Sequence, residues 1–129
     1  FLSEIINMLC ATSRPAFLIY VSDHGESPDA TVWRCLSDAA TWELPFFIWT
    51  SDKYKATFPD IIKAMRMAKD KPLQSDQLFF GLTRIMGLVD PPGYQAELDF
   101  LSTSFITRTN RRVKYGQTTY EKMKGMAYE

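Results

Sequence analysis

One short stretch constrains the fold more than any other part of the chain. Residues 16–21, Ala-Phe-Leu-Ile-Tyr-Val, are continuously apolar and rich in aromatic and β-branched side chains. Such a run predicts a strand that is covered on both faces, as in a parallel sheet flanked by helices. It stops at Ser22-Asp23-His24-Gly25, and residues 22–40 are polar and irregular. Because open α/β sheets bind their ligands beyond the carboxyl ends of strands, the sequence predicts a functional loop here.

Helical and extended patterns alternate along the rest of the chain. Leu2, Ile5, Ile6 and Leu9 recur at helical spacing and predict a first helix that ends before Pro15. The other predicted elements are a strand at 45–50, a capped turn at 51–54, a helix after Pro59, a helix from Ser75 to near Gly87, and a strand or hairpin around Val113, Tyr115 and Gly116. The order predicts an α/β fold.

Composition narrows the class of protein. The 129 residues, 46% of them apolar, predict one domain or a piece of one over residues 1–129. Fifteen basic residues balance fifteen acidic ones, so no net field favours nucleic acid as a partner. No apolar run approaches the roughly 20 residues of a transmembrane helix. The chain starts at Phe1, inside a helical pattern, and we expect it to be a piece of a longer protein.

Asp23 and His24 are the candidate metal ligands. His24 is the only histidine and follows an aspartate directly at the end of the predicted strand. Carboxylate oxygen and neutral imidazole nitrogen are ligands that zinc and manganese accept, and adjacent residues on a sharp turn can face one ion. The alternative is an ordinary turn in which Asp23 hydrogen-bonds the following amides.

The strings around this dipeptide carry a family resemblance. Residues 19–27, Ile-Tyr-Val-Ser-Asp-His-Gly-Glu-Ser, are its most specific part. The further strings that match are residues 43–49, 51–55, 70–72, 75–79 and 87–88, and more faintly 98–99 and 113–116. Together they resemble the sulfatase-like branch of the alkaline phosphatase superfamily, most closely the phosphoethanolamine transferases of the bacterial cell envelope. The resemblance implies the C-terminal part of an alkaline-phosphatase/sulfatase-like sheet flanked by helices.

By resemblance, Asp23 and His24 bind the catalytic zinc, with manganese, calcium and magnesium as alternatives in the parent enzyme. Glu26 orients a ligand or is an exposed loop carboxylate. The family's threonine nucleophile lies before the segment seen here, so no catalytic nucleophile is expected in this chain. Many relatives carry a further histidine after the motif, and residues 30–42 have none. Arg34 either supplies positive charge toward a phosphate in its place or is a surface residue.

The implied reaction is the ping-pong transfer of phosphoethanolamine from a phospholipid to lipid A, lipopolysaccharide core or another envelope glycan. The implied location is the periplasmic face of the inner membrane. A sulfatase or phosphodiesterase that uses water as acceptor is an alternative, and a non-catalytic α/β module is another. Since two ligands hold zinc poorly, we expect the isolated chain to bind metal weakly and to be inactive.

Overall fold

The computed structural model describes residues 1–27, 38–88, 91–113 and 118–126. These residues form two compact units, the first made of Phe1–Ser51 with Thr109–Glu129 and the second of Asp52–Arg108. The single domain fragment expected over residues 1–129 stays a prediction. The elements, in chain order, are α1 Leu2–Cys10, β1 Phe17–Val21, a 3₁₀ turn Ala39–Trp42, β2 Phe46–Thr50, α2 Asp52–Thr57, α3 Pro59–Ala68, a 3₁₀ turn Ser75–Gln77, α4 Leu78–Ile85, β3 Arg112–Val113, β4 Thr118–Thr119 and α5 Tyr120–Met126.

In the first unit, β1 and β2 form an antiparallel ribbon. Phe17 lies opposite Thr50 and Val21 opposite Phe46. No residue of either strand is fully buried, and Val21 is 46% exposed. The expectation of a parallel partner and full coverage is therefore wrong for this pair, because a short apolar run predicts a strand without fixing the direction of its neighbour. The mixture of helices and small antiparallel sheets confirms the α/β fragment expected from the sequence.

The second unit contains the four most deeply buried large side chains of the described residues, namely Tyr54, Gln77, Ile85 and Asp99. The Tyr54 hydroxyl donates a 2.6 Å hydrogen bond to the Ile85 carbonyl at the end of α4. The 3₁₀ turn Ser75–Gln77 leads directly into α4, which ends before Gly87, and the φ of 80° at Gly87 is one that other residues adopt at a cost. The helix predicted there is confirmed.

Asp99 is the centre of a buried polar network in the second unit. Its carboxylate is completely inaccessible to solvent and accepts hydrogen bonds from Arg84 Nη1 at 2.7 Å, Tyr94 Oη at 2.7 Å and the Leu101 amide at 2.9 Å. The hydrogen bond from Arg84 to this carboxylate raises the pKa of the guanidinium. A buried charge needs such partners, and here they are all supplied from within the second unit.

The tail of the first unit contains a short hairpin and a helix. Arg112–Val113 pairs antiparallel with Thr118–Thr119, which confirms the predicted strand at Val113, while Tyr115 and Gly116 lie outside the described residues. Helix α5 follows directly, and the sequence patterns used above did not predict it. Its start is marked by Thr119, whose Oγ1 accepts a 3.4 Å hydrogen bond from the Lys122 amide. No helix in the described part of the chain is both long and apolar enough to cross a membrane.

Candidate metal site

The candidate site lies directly beyond the β1–β2 ribbon. The Ser22 amide donates to the Pro45 carbonyl at 3.1 Å, so the ladder continues one residue past β1. Asp23 and His24 then leave the ladder. The sequence prediction that this dipeptide lies at the carboxyl end of a strand agrees with the structure.

Gly25 anchors the dipeptide to the rest of the first unit. Its amide donates a 2.8 Å hydrogen bond to the carbonyl of Thr41, in the Ala39–Trp42 turn. A methyl group on Gly25 would overlap the carbonyl oxygens of Ala40 and Glu43. Gly25 does not have a positive φ. Glycine is therefore required here for the close approach of two backbone segments and not for an unusual backbone conformation.

Asp38 lies directly before the Ala39–Trp42 turn. Its carboxylate accepts hydrogen bonds from the Ser27 hydroxyl at 2.5 Å and from the Ala40 amide at 2.9 Å. The second of these caps the start of the Ala39–Trp42 turn. Asp38 thus links Ser27 to the turn whose Thr41 carbonyl accepts the Gly25 amide. The sequence signal for this role was an aspartate immediately before a short helical start.

The His24 ring is oriented by a local hydrogen bond. Its Nδ1 lies 2.6 Å from the Gly25 carbonyl oxygen. Because a carbonyl oxygen only accepts, Nδ1 carries the proton in this contact, and the neutral ring keeps its lone pair on Nε2. Nε2 lies 3.8 Å from Asp23 Oδ1. The Asp23 side chain is 85% exposed and that of His24 30% exposed, so both are accessible.

These two groups fit part of a zinc site. Zinc binds carboxylate oxygen and imidazole nitrogen at about 2.0–2.2 Å, so two ligands of one ion lie roughly 3–4 Å apart. The Oδ1–Nε2 separation of 3.8 Å meets that requirement. An Nδ1–H bonded to a backbone carbonyl is also the usual way in which a zinc-binding histidine is held. Among the described residues, however, no group of three or more His, Cys, Asp or Glu side chains could hold a metal ion.

The structure says less about Glu26 and Arg34, the other two predicted site residues. Glu26 follows the Asp-His-Gly turn, and its side chain is exposed. Its supporting role stays a prediction. Arg34 lies outside the described residues, and so does its predicted contact with a phosphate.

A small apolar cluster joins the Ala39–Trp42 turn to α5. It consists of the buried residues Ala39, Tyr120 and Met123, with the partly buried Trp42 and Val113 packed against them. The Tyr120 hydroxyl hydrogen-bonds Glu43 Oε1, directly after the turn. Burial, followed by this hydrogen bond, raises the pKa of Tyr120. Sequence reasoning did not connect Tyr120 with the site, because 77 residues separate it from Glu43 and no local pattern links them.

The fold and site together define an α/β chain with a carboxylate and an imidazole at a strand end. A family model described as Sulfatase matches residues 1–88, a range that includes both candidate ligands. The chain belongs to the sulfatase family, and this match supports an enzyme of the sulfatase superfamily. This confirms the superfamily expected from the sequence strings. No curated protein and no solved structure matches the chain significantly.

Proposed function

We propose that this chain is part of a metal-dependent transferase that moves phosphoethanolamine from a phospholipid to lipid A, lipopolysaccharide core or another envelope glycan. The sulfatase-family match supports the superfamily, and the strings at residues 19–27, 43–49 and 51–55 favour the transferase branch. In this proposal the parent enzyme acts at the periplasmic face of the inner membrane. Its nucleophile is a threonine that this chain does not supply.

The observation that carries the proposal is the geometry of Asp23 and His24. The carboxylate oxygen and Nε2 are 3.8 Å apart and accessible, while Nδ1 is held by the Gly25 carbonyl. Asp23 contributes negative charge and His24 a fixed lone pair, which is the ligand chemistry that zinc accepts. Zinc, when bound, stabilises negative charge on oxygen atoms around phosphorus.

The first test is metal content in the full-length protein. Asp23→Ala and His24→Ala each remove one ligand and leave the β1–β2 ribbon intact. We expect each variant to lose zinc, measured by elemental analysis of the purified protein, and to lose transfer of labelled ethanolamine phosphate from phospholipid to lipid A. Asp70→Asn is the matched control, since this exposed carboxylate lies in the second unit. Wild-type zinc content and wild-type transfer in both ligand variants would exclude Asp23 and His24 as the metal site and leave Asp-His-Gly as an ordinary turn.

The same assay separates the transferase from a hydrolase of the same family. Label that reaches the glycan acceptor supports transfer. Release of free phosphoethanolamine to water, or cleavage of an aryl sulfate by the wild-type protein but not by His24→Ala, would overturn the transferase assignment. It would establish a phosphodiesterase or a sulfatase in its place.

A further inference from the structure

We propose that Tyr120 is a positioning residue for the Asp23-His24 pair: through Glu43 it holds the Ala39–Trp42 turn, and this turn holds Gly25. The metal-binding role of the pair rests on the function proposed above. The positioning itself concerns only contacts within the first unit. It assigns a role to α5, which lies outside the range matched by the sulfatase family model.

The first link joins His24 to the turn. The carbonyl of Gly25 accepts from His24 Nδ1, and the amide of Gly25 donates to Thr41. The two hydrogen bonds therefore involve the carbonyl and the amide of the same residue. A shift of Gly25 relative to the turn changes the orientation of the imidazole. Gly25 also has no free space on its Cα, because the carbonyls of Ala40 and Glu43 lie against it.

The second link joins the turn to α5. Glu43 contacts both sides: its backbone carbonyl borders Gly25, and its carboxylate accepts the hydrogen bond from the Tyr120 hydroxyl. The Glu43 amide also donates to the Ala40 carbonyl at 3.2 Å, which closes the turn. Ala39 packs directly against Tyr120 and Met123 in the buried cluster. A displacement of Tyr120 therefore acts on both ends of the turn.

The third link fixes Tyr120 itself. Its amide donates to the Arg111 carbonyl at 2.8 Å, and the Arg111 guanidinium lies 4.5 Å from the centre of its ring. Arg111 Nε is in turn paired with Glu121 at 2.7 Å. Lys124 Nζ lies 5.7 Å from the same ring and 3.7 Å from Glu43 Oε1. Two cations and a backbone hydrogen bond thus hold the ring in the position from which its hydroxyl reaches Glu43.

The test uses Tyr120→Phe in the full-length protein, which removes one oxygen atom and keeps the packing of the ring. The readout is the pair of ¹⁵N chemical shifts of the His24 imidazole, with this histidine alone labelled in the full-length protein by segmental ligation. For the neutral ring, we expect distinct protonated Nδ1 and unprotonated Nε2 signals in the unmodified protein, because Nδ1 donates to the Gly25 carbonyl. In Tyr120→Phe the two shifts should move toward each other as the tautomers mix, and zinc affinity should fall about 10-fold.

Tyr94→Phe is the matched control. Tyr94 also donates to a carboxylate, that of Asp99, but it lies in the second unit. It should leave the His24 shifts and zinc affinity unchanged. Glu43→Gln is the second variant: its amide oxygen can still accept from Tyr120, and we expect a smaller change than in Tyr120→Phe. Glu43→Ala, which removes the acceptor of the Tyr120 hydroxyl, tests the link if Tyr120→Phe fails to fold.

Unchanged His24 shifts in folded Tyr120→Phe, or in Glu43→Ala where the first variant does not fold, would overturn the positioning role. This outcome is distinct from failure of the proposed function. If the shifts change but Asp23→Ala keeps its zinc, Tyr120 positions a pair that does not bind the metal. If the shifts do not change and Asp23→Ala loses zinc, the metal site stands without help from Tyr120.

Discussion

Asp99 in the second unit and Asp23 in the first differ in burial and in hydrogen bonding. In the second unit, the carboxylate of Asp99 is fully buried and accepts three hydrogen bonds from its surroundings. In the first unit, the Asp23 side chain is 85% exposed and lies 3.8 Å from His24 Nε2. The buried carboxylate has its partners, whereas the exposed one retains lone pairs for a ligand. A carboxylate whose oxygens accept hydrogen bonds from buried neighbours stabilises a fold. An exposed carboxylate beside an oriented imidazole can bind a cation.

The same contrast holds for the apolar residues. The second unit encloses large side chains such as Tyr54 and Ile85, while no residue in β1 or β2 is fully buried. In the described part of the first unit, the buried apolar residues are instead Ala39 in the Ala39–Trp42 turn and Tyr120 and Met123 in α5. Among the described residues, most of the buried apolar side chains therefore lie in the second unit.

The largest effect is expected from Asp99→Ala, which removes the centre of the network in the second unit. Arg84 and Tyr94 lose their acceptor, and the guanidinium is left partly buried without its counter-charge. The free energy of unfolding of the second unit should fall by about 3–5 kcal/mol. Amide hydrogen exchange of α4 measures it. All three tryptophans precede Asp52 in the sequence, so their fluorescence serves as the control that the first unit remains folded. Protection in α4 equal to wild type would contradict a stabilising role for Asp99.

A smaller effect is expected from Gly25→Ala in the first unit. The added methyl group must displace the backbone carbonyls of Ala40 and Glu43, at a cost of about 1–3 kcal/mol in the free energy of unfolding. Denaturant titration with tryptophan fluorescence measures it. Gly125→Ala is the control, because nothing lies within 4 Å of the position of its added carbon. Since alanine favours a helix over glycine, the control should be neutral or slightly stabilising. Equal stability of the two variants would mean that the contact with the turn is not tight.

The smallest effect is expected from Tyr54→Phe, which removes the hydrogen bond to the Ile85 carbonyl. The loss should be about 1 kcal/mol near neutral pH. Burial raises the pKa of Tyr54 above its ordinary value of 10.0 in the folded protein. Its contribution is therefore complete below the unfolded pKa and is lost as the pH rises through the folded pKa. The difference in free energy of unfolding between wild type and variant should shrink above about pH 10. A difference that grows with pH would contradict the sign of this shift.

Most elements of the fold followed from local sequence patterns. The spacing of Leu2, Ile5, Ile6 and Leu9 predicted α1, and the two apolar runs predicted β1 and β2 within one residue of their bounds. Strand direction could not be predicted in this way, since an apolar run has the same composition in either orientation. Helix α5 was missed because its segment is short and polar, and its buried face depends on contacts with the distant Ala39–Trp42 turn.

The position of the candidate site was predicted better than its surroundings. A lone histidine after an aspartate at the end of a strand can be recognised in a sequence, and Asp23 and His24 lie where it placed them. The support of Gly25, Glu43 and Tyr120 could not be predicted, because it depends on one backbone approach and on residues brought together from distant parts of the chain.

Gly25 contacts backbone atoms in and next to the Ala39–Trp42 turn, and not the side chains of the turn. The carbonyls of Ala40 and Glu43 that border it, and the carbonyl of Thr41 that accepts its amide, are present whatever residues occupy those positions. These backbone contacts can therefore be kept when the residues of the turn are substituted, as long as Gly25 itself is kept. A search for distant relatives by this loop should give weight to Asp-His-Gly and to the length of the turn, and little to the identity of the residues within it.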